Sequence, residues 1–147
     1  MVDPARSRIM SAIKGKDTKP ELIVRKALYK EGIRYRLHGK NLPGRPDLVL
    51  SRYRAIILIN GCFWHKHNCH LFNPDRKLSP TWASKIEANV ARDRRNLDYY
   101  LREDWRVMMS WECAVIGKTK LPLNALVDQV IGWLKSDRRG IVKITGV

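Results

Sequence analysis

Residues 47–60 read DLVLSRYRAIILIN, and the fold turns on them. The last six, AIILIN, are apolar in all but the final position. A short run with no polar face is read as a central strand covered on both sides. Gly61 ends it. Asp47 opens a second strand, DLVLS, and Arg52-Tyr53-Arg54 turns the chain between the two.

Toward the N-terminus, residues 39–46, GKNLPGRP, form a turn-rich connection, and residues 34–38 are a candidate strand before it. Thr18-Lys19-Pro20-Glu21 has the pattern of a helix start. Thr18 is the expected N-cap, with Glu21 reaching back to the Thr18 N–H in a capping box. The helix is expected to run to about residue 31 and stop at Gly32. Residues 1–17 set Arg6, Arg8, Lys14 and Lys16 around Ile9, Met10 and Ile13, a short helix or a mobile basic arm. Toward the C-terminus, residues 62–79 are irregular and rich in His, Cys and aromatics. Ser79-Pro80-Thr81 announces a helix to about residue 101, with Pro tolerated in its first turn. Its apolar stripe is Ala83, Ile86, Val90, Leu97 and Leu101. Residues 105–111 turn Val107, Met109 and Trp111 to one side, as a strand does, and residues 123–134 form a last amphipathic helix. The expected class is α/β, a mixed central sheet flanked by helices. The length of 147 residues suits a single domain.

Lys and Arg number 29 against 14 Asp and Glu, a net charge of +15 spread over both halves of the chain. That excess calls for a polyanionic partner, because each phosphate contact releases counterions. No apolar run approaches the roughly 18 residues of a membrane span, and MVDPARSRIM lacks the apolar core of a secretory leader. The cysteine count of three is odd, which argues against a disulfide framework and for a reducing, cytoplasmic setting.

All three cysteines and three of the four histidines fall in two places, residues 62–70 (CFWHKHNCH) and residues 111–113 (WEC). Structural zinc takes four N or S ligands and leaves no open position. The set chosen is Cys62, His67, Cys69 and Cys113, although chemistry alone leaves His65, His67 and His70 competing for the fourth place. Cys113, at a strand end, also suits a small buried hydrophobe. Cys62 and Cys69 do not, because they lie in a polar loop.

In so basic a chain, inward carboxylates need a reason. Asp47, at a strand start, is either a ligand for a hard cation such as Mg²⁺ or a turn residue. Asp93 shares the apolar stripe of its helix with Asn89, so it points inward. It either pairs with Arg92 or Arg95 or supports catalysis. Glu21 has its local capping role and could also orient a metal-bound water. If zinc takes His67, His65 is free, with a pKa suited to a general base near neutrality. Asp47 and His65 together point to phosphodiester hydrolysis. One familiar nuclease pattern fails, since AIILIN carries no acid and no lysine where (D/E)-x-K is common. Either the site is of another kind or His65 replaces the lysine.

Four blocks, LPGRPD at residues 42–47, GCFWHKHNC at 61–69, NVARDRR at 89–95 and WEC at 111–113, together resemble the very short patch repair (Vsr) endonuclease family. The match in order and spacing runs over about residues 5–135. The resemblance implies a fold like that of type II restriction endonucleases, with structural Zn²⁺ on Cys62, His67, Cys69 and Cys113. It implies catalytic Mg²⁺ on Asp47 and the Ile59 carbonyl, His65 as water activator, and Glu21 and Asp93 in support of water and His65. Phe63, Trp64 and Trp82 match the family's aromatic wedge, which pushes into the base stack beside a mismatch. Unstacking costs least at a mismatch. The implied substrate is double-stranded DNA with a T:G pair left by deamination of 5-methylcytosine. One strand is nicked 5′ of the T, leaving 3′-hydroxyl and 5′-phosphate ends. The enzyme is expected as a monomer at the nucleoid, with mismatch-repair proteins as partners. One departure is Asn60, where the family often has His; an amide can orient water but cannot take its proton. The rival readings are a less specific nuclease of the same fold, a non-catalytic zinc DNA-binding module and an RNA-binding protein.

Overall fold

The computed structural model describes residues 17–67, 69, 71 and 78–146. The basic arm expected over residues 1–17 therefore lies outside the described residues, apart from Asp17. Helix α1 spans Lys19–Lys30 and buries Pro20, Glu21, Val24 and Leu28, spaced to share one face. Thr18 caps it by accepting the Glu21 N–H at 3.4 Å. Glu31 is its C-cap, and Gly32 follows at a φ of 85°, where a side chain would be strained. Strand β1 spans Arg36–Leu37, β2 Leu48–Leu50 and β3 Ala55–Asn60, with a 3₁₀ turn at Ser51–Tyr53. Helix α2 spans Pro80–Arg102, β4 Arg106–Trp111, α3 Glu112–Val115, α4 Leu123–Lys135 and β5 Ile141–Ile144.

The five strands form one sheet in sequence order. The pairs β1–β2 and β2–β3 are antiparallel, and β3–β4 and β4–β5 are parallel. AIILIN is thus the central strand expected, and the fold is the expected mixed sheet flanked by helices. On one face Val24 and Leu28 of α1 and Leu126, Val130 and Trp133 of α4 pack on Leu48, Ile57, Ile59 and Met108. On the other, Leu97 and Tyr100 of α2 pack on Ile56, Val107, Met109 and Trp111. The alternation read in residues 105–111 is borne out, with Met108 facing the opposite core.

Three features differ from the sequence reading. Glu112–Val115 forms a short helix, which carries Cys113 just past the end of β4 and not on the strand. The strand expected over residues 34–38 shortens to two exposed residues at the sheet edge. Ile141–Ile144, not foreseen, adds an edge strand beside β4. Arg106 locks this end of the sheet: its guanidinium donates to the carbonyls of Tyr53, Trp133, Leu134 and Ser136. It thereby satisfies carbonyls that the end of α4 leaves without helical partners. No helix among the described residues is long and apolar enough to cross a membrane.

Candidate active site and metal centre

Register brings the cysteines together. Asn60 pairs with Trp111 across β3 and β4, so Cys62 and Cys113, each two residues further on, leave the sheet side by side. The chain then winds through residues 61–67, with the His65 N–H on the Gly61 carbonyl at 3.1 Å and the His67 N–H on the Cys62 carbonyl at 2.9 Å. Those turns bring His67 back. Its ring stacks on Trp111 at 4.2 Å, and its Nδ1 lies 3.7 Å from the Cys113 Sγ. The ligand atoms of Cys62, His67, Cys69 and Cys113 all lie within 4.8 Å of one another, a cluster that could hold a metal ion.

Each sulfur accepts a backbone N–H: Cys62 from Cys113 at 3.4 Å, Cys69 from Leu71 at 3.4 Å and Cys113 from Gly146 at 3.3 Å. Such donors stabilise negative sulfur and orient it. Burial pushes the Cys62 thiol far above its ordinary range, so a thiolate there needs a cation. Burial, with Lys143, lowers the His67 pKa and favours the neutral imidazole. The Glu112 carboxylate holds the Cys62 N–H at 3.1 Å.

The carboxylates gather at the same end of the sheet. Asp47 accepts the Ile59 N–H at 2.7 Å and shares a hydrogen bond with Glu21; burial first, then that neighbour, hold its pKa well above the usual range. Glu21 is only 1% exposed. The capping box is half formed: Glu21 accepts the Asp17 N–H at 3.2 Å, not that of Thr18. Its carboxylate instead meets Arg25 at 2.7 Å and His38 at 3.2 Å. A carboxylate this deep persists only when paired and hydrogen-bonded. Its position therefore reflects the network around Asp47 more than the helix end.

Asp93 meets neither Arg92 nor Arg95 but His65, through Nδ1. With Nδ1 engaged, Nε2 is the ring nitrogen that has no partner among the described residues. Arg92 donates to Asn89 at 2.8 Å, and Asn89 donates to the Trp64 carbonyl at 3.3 Å, bracing the loop from α2. Trp64 stacks on Trp82 at 4.9 Å, and Phe63 meets both edge-on at 5.2 and 5.9 Å. The three rings make one half-buried block. Asn60 is buried at the end of β3.

His38, Arg25, Tyr100 and Glu112 were missed by sequence reasoning. Tyr100 is buried, donates its hydroxyl to the Pro43 carbonyl, and has its pKa raised by burial and by the charges of both Asp47 and Asp93. One signal was available: His38 is the one histidine outside the Cys/His cluster.

A family model described as DNA mismatch endonuclease Vsr matches residues 1–71. The chain is 40% identical over 129 residues to the DNA mismatch endonuclease Vsr of Escherichia coli (strain K12), covering 88% of this chain and 83% of that protein. It is 38% identical over 130 residues to the type II nicking enzyme V.XorIIP of Xanthomonas oryzae pv. oryzae, covering 86% and 96%. With the type II nicking enzyme V.NmeAIP of Neisseria meningitidis serogroup A the identity is 38% over 127 residues, covering 85% and 91%.

Proposed function

The chain belongs to the Vsr family of DNA mismatch endonucleases, and from that premise we propose that it is a Mg²⁺-dependent endonuclease that nicks one strand of duplex DNA 5′ of the T in a T:G mismatch. Such a nick starts short-patch repair of deaminated 5-methylcytosine. The observation that carries the reading is the pairing of His65 with Asp93 at the end of the sheet where the half-buried Asp47 accepts the Ile59 N–H.

Asp47 and the Ile59 carbonyl would hold Mg²⁺, which when bound polarises the scissile phosphate as a Lewis acid. The Ile59 N–H orients the Asp47 carboxyl group by engaging one of its oxygens. Glu21, braced by Arg25 and His38, holds the Asp47 carboxyl group by a hydrogen bond. Asp93 holds the His65 Nδ1–H, so the Nε2 lone pair is available to take a proton from the attacking water. Asn60 can orient that water by hydrogen bonding. Phe63, Trp64 and Trp82 enter as a preassembled block between base pairs weakened by the mismatch. The enzyme acts as a monomer on one asymmetric site.

Zn²⁺ fits the second cluster. Four ligands at the usual Zn–S and Zn–N lengths lie roughly 3.5–3.8 Å apart in a tetrahedron, against 3.7 Å between His67 Nδ1 and Cys113 Sγ. With all four positions filled by protein the ion is structural, tying the loop of residues 61–71 to the end of β4.

Asp47→Ala tests the metal assignment. Nicking should vanish while zinc content and circular dichroism stay at wild-type values. A variant with full nicking activity would remove Asp47 from the site.

A further inference from the structure

Between the β1–β2 connection and α2 lies a cleft of about 650 Å³ whose polar walls are His38, Lys40, Arg45, Arg92 and Asn96. Among the described residues no carboxylate lines it. Lys40 and Arg45 form no ion pair among the described residues, and Arg92 donates to an amide, not to an acid. Cations converging on a concave surface repel one another, so leaving them unneutralised is costly unless an anion completes the set.

The cleft is also built rigidly. Gly39 N–H donates to the Pro46 carbonyl and His38 N–H to the Asp47 carbonyl, both at 3.1 Å. The Tyr100 hydroxyl clamps the Pro43 carbonyl. Gly44 lies so close to α2 that a Cβ there would come within 2.3 Å of the Asn96 amide nitrogen. Arg45 then takes a φ of 44°. That is left-handed backbone at a non-glycine residue, directly before a proline, which itself disfavours helical backbone at the preceding residue. Such strain persists where the surroundings over-determine it and gathers at ligand clamps.

The cleft adjoins both halves of the active site. His38 holds Glu21 behind Asp47, and Arg92 precedes Asp93, which holds His65. Resting on the nuclease reading above, we infer that the cleft seats an uncut phosphodiester of the strand being nicked, beside the scissile one, held by Arg45, Lys40 and Arg92. Seating a neighbouring phosphate fixes which bond of the strand faces the metal.

The test measures binding of the T:G duplex without Mg²⁺ over a salt series, for wild type and for Arg45→Gly, Arg45→Lys and Arg92→Ala. Glycine relieves the left-handed backbone, so misfolding cannot explain a loss in that variant. Arg45→Gly and Arg92→Ala should each weaken binding about tenfold and lower the slope of log K against log salt by about one. Arg45→Lys should keep the slope. A duplex with one neutral methylphosphonate on the nicked strand, near the scissile bond, should cost wild type the same loss and Arg45→Gly nothing further. An unchanged slope in Arg45→Gly, or a matching phosphate found on the opposite strand, would overturn the inference. Nicking of the unmodified duplex by wild type is scored separately, so a failure of the nuclease reading shows there and not in the slopes.

Discussion

His65 and Asp93 meet through the imidazole Nδ1 and a carboxylate oxygen, although 28 residues separate them. One stands in the turns after β3, the other midway along α2. A carboxylate on Nδ1 selects the tautomer whose Nε2 carries the lone pair and stabilises the imidazolium once that nitrogen takes a proton.

Asp93→Asn should therefore lower kcat about 10²-fold or more, with KM for DNA little changed, since an amide can present its NH₂ and stabilise the wrong tautomer. Single-turnover nicking rates check this. Wild-type rates in Asp93→Asn would mean that Asp93 only braces the loop.

Asp47→Asn should abolish nicking and yet stabilise the metal-free protein. Because burial and Glu21 raise the Asp47 pKa in the folded state, the folded chain holds a proton that the unfolded chain releases. Stability from this group is complete below the unfolded pKa and is lost as pH rises through the folded one. At neutral pH the asparagine should gain on the order of 1 kcal/mol, or about 2–6 °C in Tm. The gain should shrink as pH falls into the acid range. Added Mg²⁺ should raise the Tm of wild type only. Thermal melts at several pH values, with and without Mg²⁺, read all three effects.

One zinc per chain should be found by elemental analysis. Cys113→Ala should lose it and cost on the order of 3 kcal/mol, because binding energy at such a site is folding energy. Full zinc content in that variant would return Cys113 to the core as a small hydrophobe.

Trp64→Ala and Trp82→Ala break a stacked pair. Each should reduce kcat/KM on a T:G duplex by about 10- to 100-fold, on the scale of one base–aromatic stack, with zinc content unaltered. Wild-type kcat/KM on the T:G duplex in both variants would mark the rings as loop packing.

Much of this was legible because local rules and tertiary packing agreed. AIILIN had no polar face, and it became the central strand. Asp93 sat on an apolar stripe, and it does reach inward to a partner. What stayed hidden depends on contacts between distant segments. Ile141–Ile144 is short, half exposed and held by β4, so its pattern carries little signal. Residues 136–147 had no role in the sequence, yet the Gly146 N–H donates to the Cys113 sulfur. Glu21 fitted a capping box so well that its second set of partners was invisible: Arg25 one turn away, and His38 and Asp47 beyond a loop. Neither Lys40 nor Arg45 announces a cleft until the β1–β2 connection is seen against α2.

Strand-specific nicking at a mismatch can be read in one gel assay. End-labelled duplexes identical except for T:G or C:G at one position, set in a panel of flanking sequences, are incubated with and without Mg²⁺. The expected result is a single Mg²⁺-dependent nick 5′ of the T in the mismatched duplex and none in its matched counterpart. Equal cutting of both duplexes, or silence across the whole panel, would contradict it.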